Sequence, residues 1–422
     1  MSNEEIITID SKQLQPGMYV YVDLGWMDHP FPLNRFKIKS EEQIRTIRGL
    51  GIQSIRYNPG LSDTLPLPLE EEKDVQPSPV EPVTSPKVEA MMAEKKASKE
   101  RLILHRKKVA ECERKVANAA RLMRGINNDI FAKPQACMES ASQLMDDFVE
   151  TLMGDPGTIL FALNDKLAGE EIYVHSVNVS VLAILLAKEL KLSTIDIKLV
   201  GMGSLFHDIG KLDIPGKVTM KTDPLTAAEK SLLQEHTNYG VKIARNAKLD
   251  AGTLAIVAQH HEFVDGSGYP NKLTQDRISP FAQLVAIINL YDNLCNPLNP
   301  ALALTPHEAL STLFTQYKGK LNPRMLQVFI RFMGVYPPGS IVSLSNGTIG
   351  MVISVSSQKP LKPTLLIYDP GVPKEEAMIL DLETQPDVTI DRSIRPNLLS
   401  PDIFAYLNPR QRATYFFDSS KK

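Results

Sequence analysis

The stretch Ala258-Gln-His260-His261-Glu262-Phe-Val-Asp265-Gly266-Ser-Gly268-Tyr269-Pro270 decides how the chain is read. Two adjacent histidines close an apolar run (Leu254, Ile256, Val257) with the pattern of a helix, and a turn rich in Gly and Pro follows at once. Histidine is scarce, 8 in 422 residues, yet His175, His207, His236, His260 and His261 all fall within one segment. A lone histidine is ordinarily a packed side chain. Five of them interleaved with Asp and Glu point instead to a cluster of imidazole and carboxylate ligands for transition metals.

Outward from that stretch the pattern is helical. Glu171 and His175 stand at i, i+4, so a helix places both on one face, and Val177 to Leu190 continues it with an apolar stripe. A second helix runs from about Ile195 to His207-Asp208 and ends near Gly210-Lys211. Thr226-Ala-Ala-Glu229 is a capping box, predicting a helix that bears His236 one or two turns in. A helix from about Ala251 bears His260 and His261. Ser279-Pro280 supplies an N-cap and an N1 proline for Phe281 to Leu294, with Asn289 and Asp292 on it. Thr305-Pro-His-Glu308 caps one more helix. No strand-like alternation appears over 153–333, which predicts an all-α bundle with ligands on facing helices. His207 and Asp208 could hold one ion while the carboxylate bridges to a second, held by His236, His260 and His261. Two ions about 3.5–4 Å apart clamp a phosphate and generate hydroxide for in-line attack. Lys211, three residues past Asp208, is placed to contact a phosphate oxygen.

The flanks have other patterns. Residues 1–60 predict a small α+β module: a strand at Met18–Val22, a helix after Ser40-Glu-Glu-Gln43 bearing Ile44 and Ile47 and stopping at Gly49 and Gly51, and a returning strand at Ile52–Tyr57. Residues 61–87, rich in Pro and Glu, read as a disordered or extended linker. Residues 88–152 read as a helical linker that joins domains or forms a homodimer, its basic positions a solvated face. Residues 334–422 switch to strands, with an Asn346-Gly347 hairpin turn between Ser340–Leu344 and Ile349–Val355, and predict a β-rich appendage. The fold class is therefore multidomain and mainly α.

A net charge of −2 gives no general field for DNA or an anionic membrane. Cys112, Cys137 and Cys295 form neither a disulfide framework nor a thiolate metal site. With no N-terminal secretion signal and no apolar run judged long enough to span a bilayer, the expected setting is cytoplasmic.

His207-Asp208-Ile-Gly210-Lys211-Leu-Asp-Ile-Pro215 together with His260-His261-Glu262 through Gly268-Tyr269-Pro270 resembles the HD-GYP family, a branch of the HD metallophosphohydrolases. The likeness covers roughly 165–335, the bundle then being of HD type. More weakly, residues 5–60 and the β tail resemble the flanks of a subgroup with a small N-terminal domain of no settled role. The resemblance implies a bacterial phosphodiesterase that hydrolyses cyclic di-GMP to pGpG or GMP with two or three Fe or Mn ions. It implies metal ligands at Glu171, His175, His207, Asp208, His236, His260 and His261, a phosphate-contacting Lys211, and a loop at Gly268, Tyr269 and Pro270 implicated in contacts with GGDEF-domain partners. Two features depart from the pattern. Asn289 stands where the family has a ligating Asp; its carbonyl oxygen can ligate but brings no negative charge, and Asp292 lies about 60° away around the helix. Asn296-Pro-Leu-Asn-Pro300 holds none of the family's basic substrate-binding residues. These departures define the alternative reading, a catalytically weak or inactive module that acts as a cyclic di-GMP receptor or scaffold.

Overall fold

The computed structural model describes residues 6–25, 28–31, 33–68, 86–153, 159–162, 171–356, 359–408 and 414–417. The chain divides into two units, Met1–Leu104 with Ile367–Ile379, and His105–Leu366 with Leu380–Lys422.

In the first unit, strands β1 (Ile7–Asp10), β2 (Tyr19–Tyr21), β3 (Arg35–Lys37) and β4 (Ser54–Asn58) form a sheet in the order β1-β4-β2-β3, with α1 (Glu41–Gly49) between β3 and β4. All three pairings are antiparallel. Period-2 burial turns Val20, Ile55 and Tyr57 inward, and α1 adds Ile44 and Ile47 to the same core. The Ser40 hydroxyl accepts from the Gln43 amide and caps α1, as expected. The predicted linker is held at its start, where the Asp63 amide donates to Gly17 O at 2.8 Å and the Leu67 amide to Gln13 O at 2.9 Å. The rest of it, 69–85, lies outside the described residues.

Helix α2 (Pro86–Asp129) crosses the division. The second unit continues with α3 (Pro134–Met153), β5 (Ile159–Ala162), α4 (Glu171–Glu189), α5 (Thr194–Phe206), α6 (Gly216–Thr219), α7 (Ala227–Gln234), α8 (His236–Asn246), α9 (Ala251–Gln259), α10 (Pro280–Cys295), α11 (Pro306–Gln316) and α12 (Pro323–Met333). Helix α4 is the axis of this bundle. It is apolar nearly all round, from Val177 through Ala187, and so must be covered on every side. Helices α3, α5, α10 and α12 pack on it, and α9 packs on α5, α8 and α10. Where α4 and α5 approach, the Ser180 hydroxyl donates to Gly201 O at 3.0 Å. A side chain at Gly201 would strike Met145 and Ile184.

Strands β6 (Ile341–Leu344), β7 (Ile349–Ser354), β8 (Thr364–Ile367), β9 (Ile379–Asp381) and β10 (Ile390–Ile394) form a sheet in the order β10-β6-β7-β8-β9, followed by α13 (Pro401–Leu407) and β11 (Thr414–Phe417). The β6–β7 turn is the expected one. Gly347 takes φ +79°, the Leu344 amide donates to Thr348 O, and Asn346 Oδ1 accepts from the Thr348 amide.

Three expectations are corrected. Residues 153–333 are not purely helical: β5 pairs antiparallel with β11, a partner more than two hundred residues away that no local pattern announces. The helix opened by Thr226 stops at Gln234, so His236 begins α8 rather than riding on α7. One helix among the described residues, Ile172–Glu189, is after all long and apolar enough to cross a membrane, and 67% of it is buried inside the fold.

Candidate metal centre

Four helices deliver the sequence-predicted ligands to one place. His175 is the fifth residue of α4, while His207 caps the C-terminus of α5 and is followed by Asp208. His236 starts α8, and His260 caps the C-terminus of α9 with His261 next. These residues form two groups whose ligand atoms lie within 4.8 Å of one another, His175/His207/Asp208 and Asp208/His236/His260/His261. Asp208 belongs to both. Its Oδ2 lies 3.6 Å from His175 Nε2 and 3.4 Å from His207 Nε2. Its Oδ1 lies 3.3 Å from His236 Nε2 and 3.8 Å from His260 Nε2. The imidazoles also meet in pairs, His175 Nε2 to His207 Nε2 at 3.2 Å and His236 Nε2 to His260 Nε2 at 3.1 Å.

Backbone chemistry explains why the rings point this way. The last carbonyls of a helix lack amide donors. His207 Nδ1 donates to Ser204 O at 2.6 Å, His236 Nδ1 to Leu233 O at 2.6 Å and His260 Nδ1 to Val257 O at 3.0 Å, each three residues back at a helix end. A carbonyl only accepts, so each Nδ1 carries the proton and each Nε2 turns inward. His175 lies inside α4, where those carbonyls are taken, and its Nδ1 instead meets Asp292 Oδ2 at 2.6 Å.

The centre is buried and charged. His207, Asp208, His236 and His260 are at most 5% exposed. Burial alone would raise the Asp208 carboxyl, but Lys211, His207 and His236 outweigh it and hold the group well below the usual carboxylate range. Lys211 Nζ sits 2.5 Å from Asp208 Oδ2. Burial, opposed by Asp208 and reinforced by Lys211, lowers His236. Burial with neighbouring imidazoles holds His260 and His261 well below the ordinary histidine value. Asp208 Oδ1 is buried with no hydrogen-bond partner. An anionic oxygen orphaned among converging imidazole nitrogens suits a divalent cation, and the nitrogen–oxygen donor set fits Fe, Mn or Zn.

The loop after α9 braces the centre. Tyr269 stacks on His261 with ring centroids 4.5 Å apart, and burial lifts its phenol far above the ordinary value. A side chain at Gly268 would strike the backbone of His261, Glu262 and Phe263. Pro270 follows Tyr269 through a cis peptide bond. The buried Glu262 accepts from the Asn271 and Leu273 amides at 2.6 and 3.0 Å. Two predicted positions stand apart from this description. Glu171 is the first residue of α4, with its side chain outside the described residues. Asn289 is buried on α10, its Oδ1 engaged by the Asn293 amide at 2.8 Å. Sequence reading missed the imidazole-orienting oxygens and the Glu262 clamp. Helix-end position signalled the former, and a Glu beside paired histidines signalled the latter.

Residues 136–324 match the HD domain family, residues 6–141 a domain of unknown function (DUF3391), and residues 341–400 a KOW domain associated with HD domain. The HD-GYP resemblance read from its two motifs is borne out, since the helical body matches the HD domain and the relatives it is similar to are named phosphodiesterases. It is 28% identical to a cyclic di-GMP phosphodiesterase of Pseudomonas aeruginosa over 84% of this chain and 83% of the relative. It is 33% identical to the 3'3'-cGAMP-specific phosphodiesterase 2 of Vibrio cholerae over 30% of this chain and 25% of that protein. The solved structure of an HDG"Y"P protein from Bdellovibrio bacteriovorus aligns over 77% of this chain and 98% of its own at 16% identity, with a TM-score of 0.38.

Proposed function

We propose that the chain is a metal-dependent phosphodiesterase that hydrolyses cyclic di-GMP to pGpG or GMP. The observation behind this reading is the shared Asp208 carboxylate, whose two oxygens face two separate sets of imidazoles. In this reading His175, His207 and Asp208 hold one ion, with Glu171 one turn before His175 as a further donor. Asp208, His236, His260 and His261 hold the other. Two such ions, Fe or Mn, supply an acidified water and neutralise phosphate charge. The chain does the rest. Imidazoles with fixed Nε2 direction keep the site organised, and burial excludes bulk water from it. Lys211, anchored on Asp208 by one N–H, has further donors for a phosphate oxygen. Gly268 and Tyr269 brace His261. A GGDEF-domain partner would meet the exposed rim of that loop, Asp265, Ser267 and Asn271.

Cyclic di-GMP is the favoured substrate because the relative matched over most of both chains is named for it, whereas the cGAMP-specific relative matches a short part. The test is product analysis by chromatography with Mn supplied, on cyclic di-GMP and 3'3'-cGAMP in parallel. Linear product from cyclic di-GMP is expected, with His207→Ala and Asp208→Ala each lowering turnover at least a hundredfold. Tight binding of cyclic di-GMP with no product from the wild type would establish the receptor reading instead.

A further inference from the structure

Every oriented imidazole in the centre but one finds its acceptor at a helix end. His175 is the exception, since the carbonyl three residues back is Ile172 O, inside α4. In a helix interior that carbonyl already accepts the amide of the next turn. The acceptor for His175 comes from another helix, at residue Asp292 of α10. Asp292 is fully buried. Its Oδ2 takes His175 Nδ1 at 2.6 Å, while its Oδ1 accepts from the Asn178 amide at 3.0 Å and the Asn296 amide at 2.9 Å. The carboxylate is thus held from both sides, by α4 and by the residue that follows α10.

We infer that Asp292 is the positioning residue for one of the two ions: it fixes the His175 tautomer so that Nε2 presents its lone pair beside His207 and Asp208. It is not a ligand, since its contacts on both oxygens are to side chains that hold it outside the donor set. Asn296, in the stretch that lacks the expected basic residues, serves this clamp rather than the substrate. Acceptors behind a metal-bound imidazole commonly set metal affinity within about 10–100-fold. The other ion's imidazoles, His236 and His260, use backbone acceptors and do not depend on Asp292.

This inference rests on the two-ion reading above, and its test separates the two. Mn2+ binding is titrated by electron paramagnetic resonance on the wild type, Asp292→Ala and Asp292→Asn, with folding followed by circular dichroism. The wild type should take up two ions. Asp292→Ala should weaken one of them about a hundredfold and leave the other unchanged; Asp292→Asn, which keeps the volume and one carbonyl acceptor, should weaken the same ion about tenfold. If the alanine variant does not fold, the asparagine variant decides. Folded variants that bind both ions as the wild type does, or that lose both equally, overturn the role assigned to Asp292 while leaving the centre intact. A wild type that takes up no ion overturns the centre itself, and this inference with it.

Discussion

At the scale of single residues, the converging imidazoles and carboxylate were legible because their type is rare and their chemistry narrow. Six imidazole and carboxylate positions named from the sequence do converge, from His175 to His261. Of what holds them, the backbone carbonyls were signalled only by helix-end position, and Asp292, a side chain 117 positions from its partner, by nothing local. Gly210 shows the same limit. Its sequence reading was a helix end, but its structural reason is close approach. A side chain there would overlap His236 O and the Gly240 amide, which are backbone atoms unable to rotate aside. Gly210→Ala should therefore push the first turn of α8, lowering stability by about 1–3 kcal/mol in urea unfolding and weakening Mn2+ uptake. Gly125→Ala is the contrast, since a side chain there meets nothing within 4 Å on exposed α2. That change should stabilise by up to about 1 kcal/mol and leave metal uptake alone. Equal effects from the two would mean that helix propensity, not packing, governs both.

At the scale of elements, caps were readable and interruptions were not. The boxes at Thr226 and Thr305 form with both hydrogen bonds in place, because a cap is a local bargain between a hydroxyl, a carboxylate and nearby amides. The break between α7 and α8 leaves His236 at the head of α8 with its Nδ1 on Leu233 O. The N-terminal stretch of α2 holds a different case. The predicted solvated basic face begins at Lys107, and Lys95, which precedes it, is 3% exposed, with Nζ 2.6 Å from His29 O and 3.4 Å from His29 Nδ1. Burial lowers Lys95 to about 7, against the pull of Asp28 and Asp369. Burial and Lys95 lower His29 to about 4, against Asn34 and Asp28. Both are bases whose folded value lies below the unfolded one, so the unfolded chain binds more protons and stability rises with pH. The windows are about 4 to 6.5 for His29 and about 7 to 10.5 for Lys95. Lys95→Met should remove the second rise. Its melting temperature should exceed the wild type's by a few degrees at pH 7, with the gap closing toward pH 10. Parallel melting profiles across that range would show that Lys95 is not titrating inside the fold.

At the scale of the whole molecule, the fold class, a mainly helical protein with an N-terminal α+β region and a strand-rich C-terminal sheet, was legible from changes of period. The pairing of β5 with β11 was not, since it joins segments at opposite ends of one unit. Nor was the assignment of Ile367–Ile379 to the N-terminal unit, which depends on contacts such as Lys99 to Glu376 at 2.6 Å. The centre is likewise a long-range object, because α4, α5, α8 and α9 each contribute to it. An ion bound there ties four helices together and binds the folded chain only, so it should stabilise by about 2.7 kcal/mol at a hundredfold excess over Kd. Mn2+ should then raise the melting temperature of the helical unit, and chelation should reverse the rise. His260→Ala should abolish most of it. The pH dependence has a definite sign. His236, His260 and His261 are held below 6.5 by burial, so they stay unprotonated as pH falls through 6.5. The Mn2+-induced shift should persist below that pH and disappear only on further acidification, when protons compete for the same nitrogens. A shift already lost at pH 6.5 would mean that the imidazoles are solvated, and that the four helices do not close on an ion as their geometry indicates.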